Sequence, residues 1–369
     1  MELKNERLQS IDALRGFDMI WIMGATGLVQ ALDEIFGGKT FNWLTAQMEH
    51  VSWNGFHIMD LVFPLFLFIA GLSFPFSLGK KRQKKESDKK IILELIKRAI
   101  TLVILGMIYN GFLRLDFDKI RYASVLGHIG IAWLFAALIY MYSSRMRTII
   151  MWIVIIVVGY ATLNLFLISP NAINTDHFIP ENNIVCQFDR WFLPGILYNG
   201  SYDPEGILSV IPAIATALLG MLTTRYLEGY INHTPTRKMI TYLGIGMFLI
   251  LIALISSKII PVNKVLWSSS FMLLAGGISI MLFAFFYWII DVIKWRKWAF
   301  FFRVIGMNTI TIYLAQVIVN FWGIDDFFLG GIASKFPHSL ASLILSIGYI
   351  GVCWLFLLFL YRKKVFIKV

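Results

Sequence analysis

Apolar residues in this chain come in blocks of about twenty, and polar residues are largely confined to the stretches between them. The blocks lie near Leu14–Leu32, Met59–Leu78, Ile91–Phe112, Val125–Tyr142, Thr148–Ile168, Ile207–Tyr226, Met239–Ser256, Trp267–Ile290, Phe300–Phe321 and Ser339–Tyr361. Each is close to the ~20 residues that a helix needs to cross a hydrocarbon core about 30 Å thick. The runs do not alternate apolar and polar residues, which excludes a β-barrel. The pattern predicts an all-α fold, a polytopic integral membrane helical bundle of about ten transmembrane helices. No linker separates two folded units and no repeat is evident, so residues 1–369 read as one transmembrane domain.

Composition agrees. The chain is 58% hydrophobic and only 15% charged, against roughly 45–50% and about 25% in soluble domains. The net charge of +11 is not a nucleic-acid footprint, because the cations sit in loops on alternate sides of the blocks. Lys80, Lys81, Arg82, Lys84, Lys85, Lys89 and Lys90 crowd one loop. Arg145 and Arg147, Arg225, Arg237 and Lys238, Lys294, Arg296, Lys297 and Arg303 fall on that same side, with Lys4, Arg7 and Arg15 at the start and Arg362, Lys363, Lys364 and Lys368 at the end. The positive-inside rule then puts both termini in the cytoplasm and favours an even number of spans. Cys186 lies in a long loop and Cys353 in a predicted helix, so no disulfide is expected, and no spacing suggests a metal. The first apolar run lacks a signal-peptide cleavage site and reads as a retained span.

The face opposite the basic loops carries the longer connections: Asp33–Ile58, Arg114–Ser124, Ser169–Gly206 and Ile260–Trp267. The first leads into the most polar entrance to any span, EHVSWNGFHIMD from Glu49 to Asp60. Ionisable residues at a hydrocarbon boundary are costly and mark pathways or catalytic sites.

Several strings, taken in order, carry a resemblance. Arg7–Gly16 reads RLQSIDALRG, His50–Gly55 reads HVSWNG, and DLVFPLFLFIAG follows from Asp60. Asp118–Arg121 reads DKIR, Tyr202–Ile207 YDPEGI, Pro261–Trp267 PVNKVLW and Gly306–Asn308 GMN. This set resembles the transmembrane heparan-α-glucosaminide N-acetyltransferase family and its bacterial homologues, from near the start to about Tyr313. The resemblance implies an acetyl-CoA-dependent acyltransferase that moves acetyl across the membrane to the amine of a terminal glucosamine. It places the family's catalytic His on His50 and makes a homodimer plausible. The chain lacks the extra N-terminal soluble region and additional first span of the animal lysosomal enzyme, so a bacterial cytoplasmic (inner) membrane member is expected, with His50 on the extracytoplasmic face. Two strings depart from the family: Thr26 stands where the first span often carries Asn, and Ala123–His128 reads ASVLGH where PGVLQR is common.

The candidate residues have competing readings. His50 has the chemistry to take the amine proton or to carry the acetyl group covalently; the bland alternative is a loop His bonded at a helix entrance. Asp60 either orients an imidazole, binds the acceptor, or is a helix N-terminal carboxylate favoured by the dipole. Glu49 and His57 flank them. Trp53 and Asn54 suit a sugar ring and its hydroxyls, or an interfacial anchor. Asp203 and Glu205 recognise a cationic amino sugar or form a turn. Arg121 contacts substrate or pairs with Asp118, and Asn263 and Lys264 border the same vestibule.

For the cofactor, Arg15 meets a CoA phosphate or pairs with Asp12 three residues earlier. Arg98 binds phosphate or snorkels, and Arg303 and Asn308 pose a similar choice. A cytoplasmic cofactor and an extracytoplasmic His50 require the pantetheine arm to enter the bundle, past amides such as Asn110, Asn308 and Gln316, with Pro64, Pro75 and Pro212 opening the helices. Two rival functions remain open: a sugar or lipid-linked glycan transporter, and an O-acyltransferase of a surface polysaccharide.

Overall fold

Nearly every apolar block folds as a helix, because backbone groups in hydrocarbon must be satisfied within the segment itself. The computed structural model describes residues 8–117, 119–143, 145–229 and 233–366; Asp118, Lys4, Arg7 and Lys368, which figured in the sequence reading, lie outside them. The helices are α1 (Gln9–Ile20), α2 (Thr26–Phe36), α3 (Gly38–Gln47), α4 (Val62–Gln83), α5 (Asp88–Tyr109), α6 (Val125–Tyr142), α7 (Met146–Phe166) and α8 (Ile184–Phe192). They continue with α9 (Val210–Gly229), α10 (Pro235–Ser256), α11 (Ser269–Phe286), α12 (Ala299–Gly306), α13 (Thr309–Ile318), α14 (Phe321–Asp325), α15 (Gly331–Ala333) and α16 (His338–Arg362). A π-helical turn, Trp21–Ala25, joins α1 to α2.

Among the described residues, eight helical segments are long and apolar enough to cross a membrane, and the bent pair α12–α13 makes a ninth. The remaining block, read as a span over Ile91–Phe112, is the 22-residue helix α5. Asp88, Lys89, Lys90, Glu94, Lys97 and Arg98 make it the most charged of the long helices. Ser87 caps its start by accepting from the Lys90 amide.

The chain forms two units. The first comprises residues 8–51, 57–62 and 285–366; the second comprises 52–56 and 63–284. In the first unit, α1 and α12 cross with backbones in contact. A Cβ on Gly16 would overlap the Phe302 carbonyl, and one on Gly306 would overlap the Asp12 carbonyl. Small residues allow this approach, which in membranes replaces the hydrophobic drive between helices with close packing. Met19, Met23, Val304, Ile305, Ile312, Tyr349, Cys353 and Leu357 fill the core beside the crossing. Two interrupted helices belong to this unit. Gly24, at φ +111°, breaks the first span, with the Tyr349 ring packed where its side chain would be. The displaced Ile22 carbonyl accepts from Gln316 Nε2 at 3.3 Å. The second interruption is a 69° bend between α12 and α13 at Met307–Asn308.

In the second unit, Gly71 and Gly220 press α4 and α9 together, and Thr224 Oγ1 donates to the Leu72 carbonyl at 2.7 Å. Tyr160 on α7 donates to the Leu266 carbonyl at 2.7 Å, tying the segment before α11 to the bundle.

Two of the three prolines singled out in the sequence stand at helix starts rather than in helix interiors. Pro64 and Pro212 occupy the first turns of α4 and α9, where a missing N–H costs little, and only Pro75 lies inside a helix. The openings fall at Gly24 and at Asn308. Asn110 follows α5 and donates to the Arg121 and Ala123 carbonyls, pinning a loop.

Candidate active site

Asp60 is almost completely buried, while the His50 side chain is 53% exposed. His50 Nδ1 and Asp60 Oδ1 are 2.8 Å apart. Local folding explains the pair. After α3, the chain turns and enters a short 3₁₀ turn, Ile58–Leu61, that runs into α4. Asp60 Oδ2 accepts the His57 amide at 3.0 Å and the Val51 amide at 3.5 Å, so one carboxylate folds the loop back and fixes the imidazole. His57 Nδ1 faces the Glu49 carbonyl at 3.0 Å, closing the same loop. A carboxylate buried this deeply needs such partners, since stranding it would cost several kcal/mol. The orienting reading of Asp60 therefore has geometry behind it. Chemically, the arrangement is a solvent-facing imidazole with one nitrogen held by a buried acid, the logic of an activated base or nucleophile.

The second unit gathers the other strings. Trp53 Nε1 donates to the Phe178 carbonyl at 2.5 Å and its ring packs on Tyr202, with centroids 4.9 Å apart. Asn54 Oδ1 accepts from Asn263 Nδ2 at 3.0 Å, and the Gly55 amide donates to the Val262 carbonyl at 2.8 Å. Trp53 is thus joined to YDPEGI, and Asn54 and Gly55 to PVNKVLW.

Arg121 grips Asp203 through Nε and Nη2 at 2.7 and 2.5 Å and also pairs with Glu205. Its guanidinium lies 4.7 Å over the Tyr198 ring. Burial opposes the arginine's charge, but Asp203 and Glu205 outweigh it and hold its pKa above the usual value. Burial raises the Glu205 pKa against the opposing pull of Arg121. Asp203 also accepts the Tyr198 and Glu205 amides, so YDPEGI forms a turn, and its ion pairs with Arg121 are ones the sequence reading did not name. A bidentate arginine suits two carboxylates because its donors form a fixed fork.

Sequence reasoning passed over two neighbours of this cluster. Asp189 on α8 packs against Gly206 so tightly that a Cβ there would overlap the carboxylate, and it accepts the Ile207 amide at 2.8 Å. Burial raises its pKa to about 7, with Ile207 opposing and Asp203 assisting. His128 on α6 stacks on Trp267, with centroids 5.2 Å apart at 22°. Among the described residues, neither ring nitrogen has a hydrogen-bond partner. Its signal was the departure at Ala123–His128. Trp267 itself takes a left-handed φ of +47° while fully buried, an uncommon conformation for a bulky residue.

Three of the four cofactor candidates meet in the first unit. Arg15 lies 3.8 Å from Asp12, as the i,i+3 spacing suggested, and donates to the Gly306 carbonyl at 3.4 Å. Arg303 Nη1 donates to Gln9 Oε1 at 2.9 Å. Asn308 is buried at the helix break and donates to the Val365 carbonyl at 3.1 Å. The two guanidinium groups, with the neutral Asn308 amide beside the break, fit a phosphate-bearing cofactor in their chemistry. Arg98 belongs to the second unit, where its guanidinium lies 4.2 Å over Trp133 on α6. Among the described residues, no group of three or more His, Cys, Asp or Glu side chains is placed to hold a metal ion.

The fold and the His–Asp pair define a polytopic α-helical membrane protein with an imidazole–carboxylate dyad at a membrane-helix entrance. Residues 7–253 match the family model described as heparan-alpha-glucosaminide N-acetyltransferase, catalytic. The chain belongs to that family. It is 26% identical to the human (Homo sapiens) heparan-alpha-glucosaminide N-acetyltransferase and 25% identical to the mouse (Mus musculus) protein of that name. Each comparison covers 98% of this chain and 60% of the relative, so the chain spans well under two thirds of their length.

Proposed function

We propose that this chain is an acetyl-CoA-dependent N-acetyltransferase acting on the amine of a glucosamine-type sugar. The observation that carries the reading is the 2.8 Å His50–Asp60 contact within the HVSWNG string of a chain that belongs to this family. With Nδ1 committed to Asp60, Nε2 is the nitrogen that does the chemistry. In direct transfer it removes the amine proton as nitrogen attacks the thioester carbonyl; the C–S bond breaks and the thiolate is protonated to CoA. In the covalent route Nε2 attacks the thioester first, CoA leaves, and the amine then takes acetyl from the imidazole. Both routes use Asp60 in the same way, to orient the ring and offset positive charge on it.

In this reading residues 1–369 act as one acyltransferase domain in a bacterial cytoplasmic (inner) membrane. Both termini are cytoplasmic, His50 faces the opposite side, and two chains pair as a homodimer. Arg15, Arg98, Arg303 and Asn308 bind acetyl-CoA, no metal being required. Trp53, Asn54, Arg121, Asp203 and Glu205 serve the acceptor. Because Arg121 already holds both carboxylates, a substrate ammonium meets them by sharing them with the guanidinium.

The test is purified protein in nanodiscs with isotope-labelled acetyl-CoA and glucosamine, read by mass spectrometry. Labelled N-acetylglucosamine that disappears in a folded His50→Ala variant is the expected result. A transporter reading draws on the interruptions at Gly24 and Asn308, since discontinuous helices form transport sites. Uptake of unmodified sugar, with no acetyl-CoA binding, would favour it. Acetyl found on oxygen would favour the polysaccharide O-acyltransferase.

A further inference from the structure

Asp18 lies within the first apolar span, 1% exposed, and among the described residues neither of its carboxyl oxygens has a hydrogen-bond partner. A carboxylate left so in a membrane helix is costly and marks a ligand or ion path. The cation nearest in sequence is committed elsewhere: Arg15, three residues back, lies against Asp12 and the Gly306 carbonyl. The residues around Asp18 are apolar or aromatic, and the π-helical turn at Trp21–Ala25 begins three residues on. Such turns concentrate at functional sites.

Arg15 and Asp18 are i,i+3 neighbours, so they occupy successive turns on one flank of α1, about 4.5 Å apart along its axis. Their chemistry differs in an ordered way. Arg15 is donor-only and suits phosphate. Asp18 offers carboxyl oxygens that accept from N–H or O–H donors. Coenzyme A presents the same order: phosphates at its head, then a pantetheine arm whose amide N–H groups and hydroxyl are donors. We infer that Asp18 is a binding residue for the pantetheine arm, accepting hydrogen bonds from it one helical turn deeper than the phosphate contact at Arg15. The inference rests on the acetyl-CoA reading above and extends it to a residue that lies outside the family strings' shared letters.

The test compares wild type with Asp18→Leu, an apolar replacement of similar size, and with Asp18→Asn. Calorimetry measures binding of acetyl-CoA and of adenosine 3′,5′-bisphosphate, the head without the arm, and unfolding is followed without ligand. Removing the carboxyl group that accepts from the arm should weaken acetyl-CoA binding about 10- to 100-fold in Asp18→Leu. Adenosine bisphosphate affinity should stay within about twofold. The ligand-free variant should be as stable as wild type or more so, because a buried polar group without a partner is gone. Asp18→Asn should fall between. Unchanged acetyl-CoA affinity, an equal loss for the bisphosphate, or a marked loss of ligand-free stability would each overturn the assignment. Wild-type protein that binds no acetyl-CoA would overturn the functional reading as well, and so is distinguishable from failure at Asp18 alone.

Discussion

His50 Nδ1 lies 2.8 Å from the carboxylate of Asp60, and the two differ sharply in exposure: about half the imidazole side chain is open and the carboxylate is sealed. Asp60 is held by the loop that carries His50, so in the proposed reaction it would act through the ring. Replacing His50 with Ala should reduce turnover by about 10²–10⁴-fold with little change in the unfolding temperature. Asp60→Asn should lower kcat more than it raises KM. The amide matches the carboxylate in shape but sets an N–H₂ against groups that donate. Steady-state kinetics with labelled acetyl-CoA check both.

Arg121 is the counter-charge for two carboxylates that are themselves almost fully enclosed. Arg121→Ala should destabilise the protein by about 3–5 kcal/mol, because it strands Asp203 and Glu205. The triple variant Arg121→Met, Asp203→Asn, Glu205→Gln should recover most of that loss. Thermal unfolding in one detergent compares the three proteins. A triple variant no better than Arg121→Ala would mean that the cluster's contribution is not electrostatic.

Asp189 supplies a pH dependence. Its folded-state pKa is raised to about 7 by burial, so the folded protein holds this proton more tightly than the unfolded chain does. Its charge therefore opposes folding increasingly as pH rises from about 4 toward 7, and fully above that. Asp189→Asn keeps an oxygen for the Ile207 amide and removes the charge. It should stabilise the protein at pH 8 by about 2–4 kcal/mol and change little at pH 4. Unfolding temperatures across that range test this, and an equal gain at both ends would count against it.

The α1–α12 crossing should tolerate no Cβ. Gly306→Ala would press a methyl into the Asp12 carbonyl and should cost about 1–3 kcal/mol or more. Gly244→Ala, in α10 with no atom within 4 Å of the added carbon, should be neutral or stabilising by up to about 1 kcal/mol. The pair separates helix propensity from helix contact in one unfolding experiment.

Much of this was legible along the chain. The apolar blocks located the helices, and HVSWNG with Asp60 nominated the dyad from residues only ten positions apart. The Asp12–Arg15 pair followed from helical spacing. The rest joins distant positions. Arg121 finds Asp203 82 residues later, and Arg15 finds Gly306 291 residues later. Asp189, isolated in a long loop, had no local signal. The prolines misled because their effect depends on their place in a helix. Pro64 and Pro212 stand in first turns, where the ring is harmless, while Gly24 and Asn308 carry the breaks.

The sequence by itself determined that the chain is a multi-span helical membrane protein, and it nominated the motifs to which chemistry is assigned. Those properties depend on block length, composition and local spacing, which a bilayer reads residue by residue. Only the tertiary structure decided which partner each buried acid has: Asp60 its histidine, Asp203 and Glu205 their arginine, Asp18 none among the described residues. A charge taken out of water is stabilised by what the fold brings within hydrogen-bonding distance, and that is a property of three-dimensional packing.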